Sequence, residues 1–197
     1  PLKDDAKAMR VFEHGKSSYI DEIRTLHQFK NLDGIVKIYT HFQENNTAYL
    51  VMEYLDGRNL KSFVKNKGGS ISSKLAGRII IKAAAALEKV HSANVLHRDI
   101  SPENIFIMRN DVDVKLIDFG AARRNVEDSN QEKSVLLKPG FAPPEQYSKK
   151  GNQGTWTDVY AMAASLYYLV SGVIPTDSMS RMQHDLSLRH ISEPTRH

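Results

Sequence analysis

The sequence predicts an α+β fold in two unequal parts, and three observations carry that prediction. β-Branched and aromatic runs occur in pairs around turn-like residues. Apolar residues recur at helical spacing in longer stretches. Asp56-Gly57 breaks the pattern after the first pair of runs and is the expected hinge between a small strand-bearing part and a larger helical one.

The first element expected is a helix over 17–30, where Ile20, Ile23, Leu26 and Phe29 form one apolar stripe and Asp21, Glu22 and Arg24 lie off it. Ile35 to Tyr39 and Ala48 to Met52 flank Glu44-Asn45-Asn46 and predict an antiparallel hairpin. From Ser72 onward, Leu75, Ile79, Ala83, Ala86, Leu87 and Val90 repeat at helical spacing, and the alanine-rich centre lets another element approach closely. Ile105 to Ile107 and Val114 to Ile117 flank Asn110-Asp111 as a second short hairpin. The stretch from Gly120 to Phe141 is long, polar and without a strong period, the pattern of a functional or disordered loop. Val159 to Pro175 is apolar almost throughout but shorter than the ~20 residues of a typical membrane-spanning helix. It is expected to be the buried axis of a helical lobe, with Asp158 near its start partnering backbone amides.

Composition narrows the possibilities. The 197 residues are 41% apolar, enough for a sizeable core in one large domain or two lobes. Net charge is +4, but Lys and Arg are scattered, which describes a mixed solvated surface rather than a nucleic-acid interface. The absence of cysteine excludes disulfides and thiolate-held metal and suits a cytoplasmic protein, and no secretory leader pattern opens the sequence.

Chemistry concentrates in His97-Arg98-Asp99-Ile100-Ser101-Pro102-Glu103-Asn104 and in Asp118-Phe119-Gly120. The hairpin between the two segments brings its own ends together, so Asn104 and Asp118 are expected to lie side by side despite their separation in sequence. An acid that accepts a hydroxyl proton, with an amide and a carboxylate converging on magnesium, is what phosphoryl transfer asks for; Asp99, Asn104 and Asp118 suit those roles. Either motif alone has an ordinary explanation, a buried Arg-Asp pair or a strand-end turn. Their joint occurrence in this order resembles the catalytic core of a protein kinase.

The resemblance runs from about Phe12 to Pro175, and the strings HRDISPENI, KLIDFGAAR, LKPGFAPPEQY and GTWTDVYAMAASLYYLVSG are similar to a bacterial branch of eukaryotic-type Ser/Thr protein kinases. It implies a two-lobe fold, with residues 1–55 a partial small lobe, a hinge at 53–57, and residues 56–197 a mainly helical lobe incomplete at its C-terminal end. Glu22 resembles the helix glutamate that pairs with a phosphate-positioning lysine, and Leu26 resembles an apolar contact for Phe119. Met52 resembles the gatekeeper. The backbone of Glu53 and Leu55 is expected to read the adenine edge of ATP, and Phe106 to pack beneath it. Pro143-Pro144-Glu145 resembles the end of an activation segment, Glu145 being expected to pair with an arginine, and Asp158 is expected to support the His97 loop. Arg98 beside the base implies control by phosphorylation, with Ser129 and Ser134 as candidate acceptors.

Two departures qualify that resemblance. The family places lysine two positions after the catalytic aspartate and threonine seven before the last glutamate of the activation segment; here these are Ser101 and Lys138. A positional swap is expected, in which the Lys138 ammonium reaches toward Asp99 and Ser101 supplies the hydroxyl. Nothing before Gly15 supplies a glycine-rich phosphate loop, and none of Lys3, Lys7 or Lys16 follows a suitable strand. The chain is therefore expected to be a fragment with weak or absent activity of its own. The expected function is ATP- and Mg2+-dependent phosphorylation of protein Ser or Thr, with a pseudokinase or interaction module as the alternative. A small-molecule phosphotransferase fits less well, because it typically lacks Pro-Pro-Glu and a long activation segment. Nucleic acid is not an expected partner.

Overall fold

The computed structural model describes residues 29, 32–45, 47–111, 113–119, 123–124, 137–148 and 151–184. Glu22, Leu26, Ser129, Ser134 and all of the expected helix over 17–30 except Phe29 lie outside the described residues, as does the stretch before Gly15.

The first hairpin pairs β1 (Ile38–Glu44) with β2 (Thr47–Met52) in antiparallel register. Asn45, at φ +50, makes the turn, and Phe42 stacks on Tyr49 with ring centroids 5.0 Å apart. The expected first strand is displaced toward the C-terminus. Ile35 and Val36, which are 1% and 4% exposed, leave the hairpin. Ile35 bridges Leu116 in parallel, and the Val36 amide donates to the Leu116 carbonyl at 3.0 Å. Two consecutive apolar residues gain more by burial against the larger part than by one face of an exposed hairpin.

Asp56-Gly57 leads directly into the larger sheet. Gly57 begins β3 (Gly57–Asn59), which pairs with β5 (Ile105–Met108), itself paired with β6 (Val114–Leu116). Glycine stands there because of close approach: a Cβ at Gly57 would lie 2.2 Å from the Ile107 carbonyl oxygen. Asn59 then caps α1 (Leu60–Asn66), its Oδ1 accepting from the Ser62 amide at 2.8 Å. Leu60, Phe63 and Val64 supply a short buried stripe that marks this helix.

The long helix α2 (Ser73–Ser92) starts at Ser72, whose Oγ accepts from the Leu75 amide. Ala76, Ile79, Ala83, Ala86, Leu87 and Val90 are its buried face, and it packs against α3 (Thr155–Ser171). Apolar residues of both helices join Leu60, Phe63, Ile105, Leu116 and Phe119 in one core. Each such side chain fully buried contributes roughly 1.5–3 kcal/mol. The expectation for α3 needs correction, because the helix is buried on one side only. Ala161, Met162, Ala164, Ser165 and Leu169 face the core, whereas Val159 is 58% and Tyr167 51% exposed. Among the described residues, nothing packs on that second face heavily enough to bury it. Gly172, at φ +73, ends α3, and α4 (Ser178–His184) follows.

Within the region expected to be a periodless loop, β7 (Arg123–Arg124) pairs with β4 (Val95–Leu96). This pairing connects the strand that enters the His97 segment with the chain that leaves Asp118.

Candidate active site

The segment from His97 to Asn104 runs between β4 and β5, and its backbone is held from beneath by α3. Asp158 is fully buried, and its two carboxylate oxygens accept from the His97 amide at 2.9 Å and the Arg98 amide at 2.7 Å. His91 of α2 lies 2.8 Å from the same carboxylate. Burial alone would raise the Asp158 pKa, but the His91 hydrogen bond, the nearby His97 and the two backbone donors together hold it below the usual carboxylate value. Arg98 has φ +65, and its carbonyl accepts from Gln146 Nε2 at 2.8 Å. A non-glycine residue in that region is strained, so it persists because Asp158 and Gln146 grip both sides of its peptide.

That strained turn presents Asp99. Asn104 Nδ2 donates to the Asp99 carbonyl at 2.8 Å and to Asp99 Oδ2 at 2.7 Å. Lys138 arrives from the far end of the 120–141 stretch, its Nζ 3.1 Å from Asp99 Oδ2 and 3.1 Å from Ser101 Oγ. A turn aims this lysine, because the Phe141 and Ala142 amides both donate to the Lys138 carbonyl at 3.0 Å. Burial pushes the Asp99 pKa up, and the Lys138 charge and hydrogen bond offset only part of that rise. The side chain is thus a stronger base than a solvated aspartate, already touching a cation and an amide.

Asp118 follows β6. The Ile117 amide donates to the Asn104 carbonyl at 3.0 Å, so the two ends of the hairpin meet and Asp118 emerges beside Asn104. Asp118 has φ +59, the second strained non-glycine residue of the site. Its neighbour Phe119 is fully buried, packs on the His97 ring at 4.4 Å between centroids, and lies 6.2 Å from Phe29. His97 is itself fully buried, and desolvation lowers its pKa.

The oxygen atoms here suit a hard divalent cation. Both hydrogens of the Asn104 amide point at Asp99, which leaves its Oδ1 with no donor among the described residues. Magnesium takes oxygen ligands and typically keeps waters and substrate phosphates beside one or two protein groups. Among the described residues no cluster of three His, Cys, Asp or Glu side chains able to hold a metal occurs.

Comparison with known proteins decides the family. The profile of the protein kinase domain family matches residues 4–195. The chain belongs to the protein kinase domain family. The kinase domain is similar to serine/threonine-protein kinase B of Synechocystis sp., 31% identical over 186 residues that cover 90% of this chain and 31% of that protein. A probable serine/threonine-protein kinase of Clostridium perfringens is 35% identical over 153 residues, covering 76% of this chain and 21% of its own. Among solved structures, the apo form of PpkA-294 superposes with a TM-score of 0.78 at 33% identity, covering 96% of this chain and 67% of that one. The chain therefore spans less than a third of the length of these curated relatives. Bacterial Ser/Thr kinases of eukaryotic type recur among the relatives, and the partial two-lobe α+β architecture follows that fold.

The residues expected to read adenine lie on β5 and in the segment after β2. Phe106 alternates with the buried Ile105 and Ile107, so it faces away from the core; Lys115 is its register partner on β6. Lys115 makes a close ion pair with Glu53, which draws the segment after β2 over this face. Met52 is half exposed. One detail of the expectation changes: the Glu53 amide donates to the Lys37 carbonyl at 2.9 Å and is not available to a base. The Glu53 carbonyl and the Leu55 backbone have no hydrogen-bond partner among the described residues.

Several participants were not singled out in the sequence. Gln146 directly follows Pro-Pro-Glu, and Glu103 sits inside the catalytic segment, but neither position betrays its contacts. Glu145 accepts from the Thr157 hydroxyl at 2.8 Å, and that hydroxyl in turn accepts from the Gly154 amide at 3.1 Å. Among the described residues, this hydroxyl is the side-chain partner of Glu145.

Proposed function

We propose that this protein transfers the terminal phosphoryl group of ATP to serine or threonine hydroxyls of protein substrates. The observation that carries the reading is the chain of contacts from Asn104 to Asp99, from Asp99 to Lys138 and from Lys138 to Ser101, each within hydrogen-bonding distance. Asp99 is the base that takes the hydroxyl proton, its basicity enhanced by burial. Asn104 Oδ1 and the Asp118 carboxylate would hold Mg2+. Magnesium-bound ATP supplies the phosphoryl group and the screening of its charge. Lys138 orients Asp99 and neutralises negative charge developing near it, while Ser101 steadies the lysine. Phe106 and Met52, with the Glu53 carbonyl and the Leu55 backbone, form the adenine end. Glu22 is assigned to lysine pairing and Arg98 to coupling with a phosphorylated activation segment. No helix among the described residues is long and apolar enough to cross a membrane, and a cytoplasmic site of action fits an ATP-dependent enzyme.

The test is magnesium-dependent transfer of labelled phosphate from ATP to a generic protein substrate. Transfer that is weak for this chain by itself, and lost in Asp99→Asn, is expected. An Asp118→Asn variant that works equally well would overturn the metal assignment, and complete inactivity with intact nucleotide binding would favour the pseudokinase alternative.

A further inference from the structure

Beside the proposed acceptor position, a cavity of about 200 Å³ opens between the catalytic segment, α1 and the Lys138 turn. Its walls are mostly apolar, including Pro102, Pro139, Phe141 and Ile174, and Ser101 and Lys138 place it next to Asp99. Glu103 is the one carboxylate on its lining, and Lys61, at the start of α1, reaches across to it with Nζ 2.6 Å from Oε1. Lys138 approaches the other oxygen of Glu103 at 3.6 Å. The Lys61 amide also donates to the Pro102 carbonyl at 3.1 Å, so this helix start is tied to the catalytic segment rather than drifting beside it.

We infer that Lys61 is a specificity-determining residue: by occupying Glu103, the one carboxylate lining the cavity among the described residues, it withdraws that charge from incoming peptides and selects acceptor segments with apolar rather than basic neighbours. This inference rests on the kinase reading above and deepens it. An arginine near the acceptor hydroxyl would find Glu103 already bridged by two ammonium groups, and would meet their repulsion. A leucine would find apolar walls and no unpaired charge. The Lys61 hydrogen bond is also the foremost reason that Glu103 is held below the usual carboxylate range. Because the ion pair is partly solvated, it is a competitor that a peptide can displace rather than a permanent lock.

The experiment compares kcat/KM for two serine peptides that differ only in having leucine or arginine next to the acceptor, using the protein and its Lys61→Ala, Lys61→Arg and Lys61→Ala/Glu103→Gln variants. Removing Lys61 leaves Glu103 to Lys138 alone, which can draw that lysine from Asp99 and slow both peptides, so the ratio of the two efficiencies is the readout. The ratio should favour leucine in the protein and shift toward arginine by about two- to fivefold in Lys61→Ala, the scale of one exposed charge contact. Lys61→Arg should keep the original preference, and the double variant should lose the gained one. An unchanged ratio in Lys61→Ala, or a shift that persists without Glu103, overturns the inference while leaving the kinase reading intact. No phosphate transfer to either peptide or to a generic protein overturns both.

Discussion

Lys138 Nζ lies 3.1 Å from Asp99 Oδ2 and equally 3.1 Å from Ser101 Oγ. A lysine from the activation-segment side and a serine from the catalytic segment thereby fill the places that related kinases give to threonine and lysine, respectively. The cation reaches the base from the opposite strand of chain. In the proposed mechanism, transfer therefore needs the Lys138 turn in place.

Replacing Lys138 by methionine should lower kcat by on the order of 10³, by analogy with the loss of other transition-state cations. The pH dependence gives a sharper check. Burial already raises the Asp99 pKa and Lys138 restrains it, so removing the ammonium raises it further. The acid limb of kcat/KM should move to higher pH. A pH–rate profile with an unmoved limb would mean that Lys138 does not sense Asp99.

Asp158→Asn should destabilise the fold, because two buried backbone donors then compete for one acceptor oxygen and an unmatched buried donor costs about 1–3 kcal/mol. The depressed pKa of Asp158 means that the carboxylate stabilises the folded state above its unfolded pKa, and that this contribution is lost as pH falls through the folded value. Urea unfolding over a pH series should show the acid-side loss in the protein and a smaller one in the variant.

Gly140→Ala should disturb the Lys138 turn. Gly140 has φ +88, and a Cβ there would lie 2.5 Å from the Pro175 carbonyl oxygen. The backbone conformation alone should cost about 1–2 kcal/mol for an L side chain. The melting temperature and kcat should both fall, whereas ATP affinity, set at the other end of the cleft, should hold.

Asn104→Ala removes both the hydrogen bonds that aim Asp99 and the free amide oxygen. The magnesium concentration for half-maximal transfer should rise, with kcat falling. Titration of activity against Mg2+ distinguishes this from simple misfolding, because added cation should recover part of the rate.

Much of this arrangement was legible from local pattern. Ser72 and the apolar spacing that follows it mark α2, and the hairpin between Asn104 and Asp118 implies that its ends meet, as the Ile117 to Asn104 hydrogen bond shows. The strand expected at Ile35 was misplaced because burial against Leu116 outweighed hairpin pairing. The close approach of Gly57 to Ile107 was not legible, because a glycine needed for close approach and one needed for flexibility look alike in a sequence. The nearly continuous apolar run in α3 gave no hint that one side stays exposed.

Short-range order, meaning which segments are helical, which strands are neighbours through a turn, and the spacing of base, amide and carboxylate, is written in residue types because it depends on interactions a few positions apart. The clamp of Asp158 and Gln146 on Arg98, the crossing of Lys61 to Glu103, and the reach of Lys138 to Asp99 join residues distant along the chain. Those contacts depend on how α1, α3 and the Lys138 turn dock around one shared core, a balance of packing over many side chains that only the folded arrangement resolves.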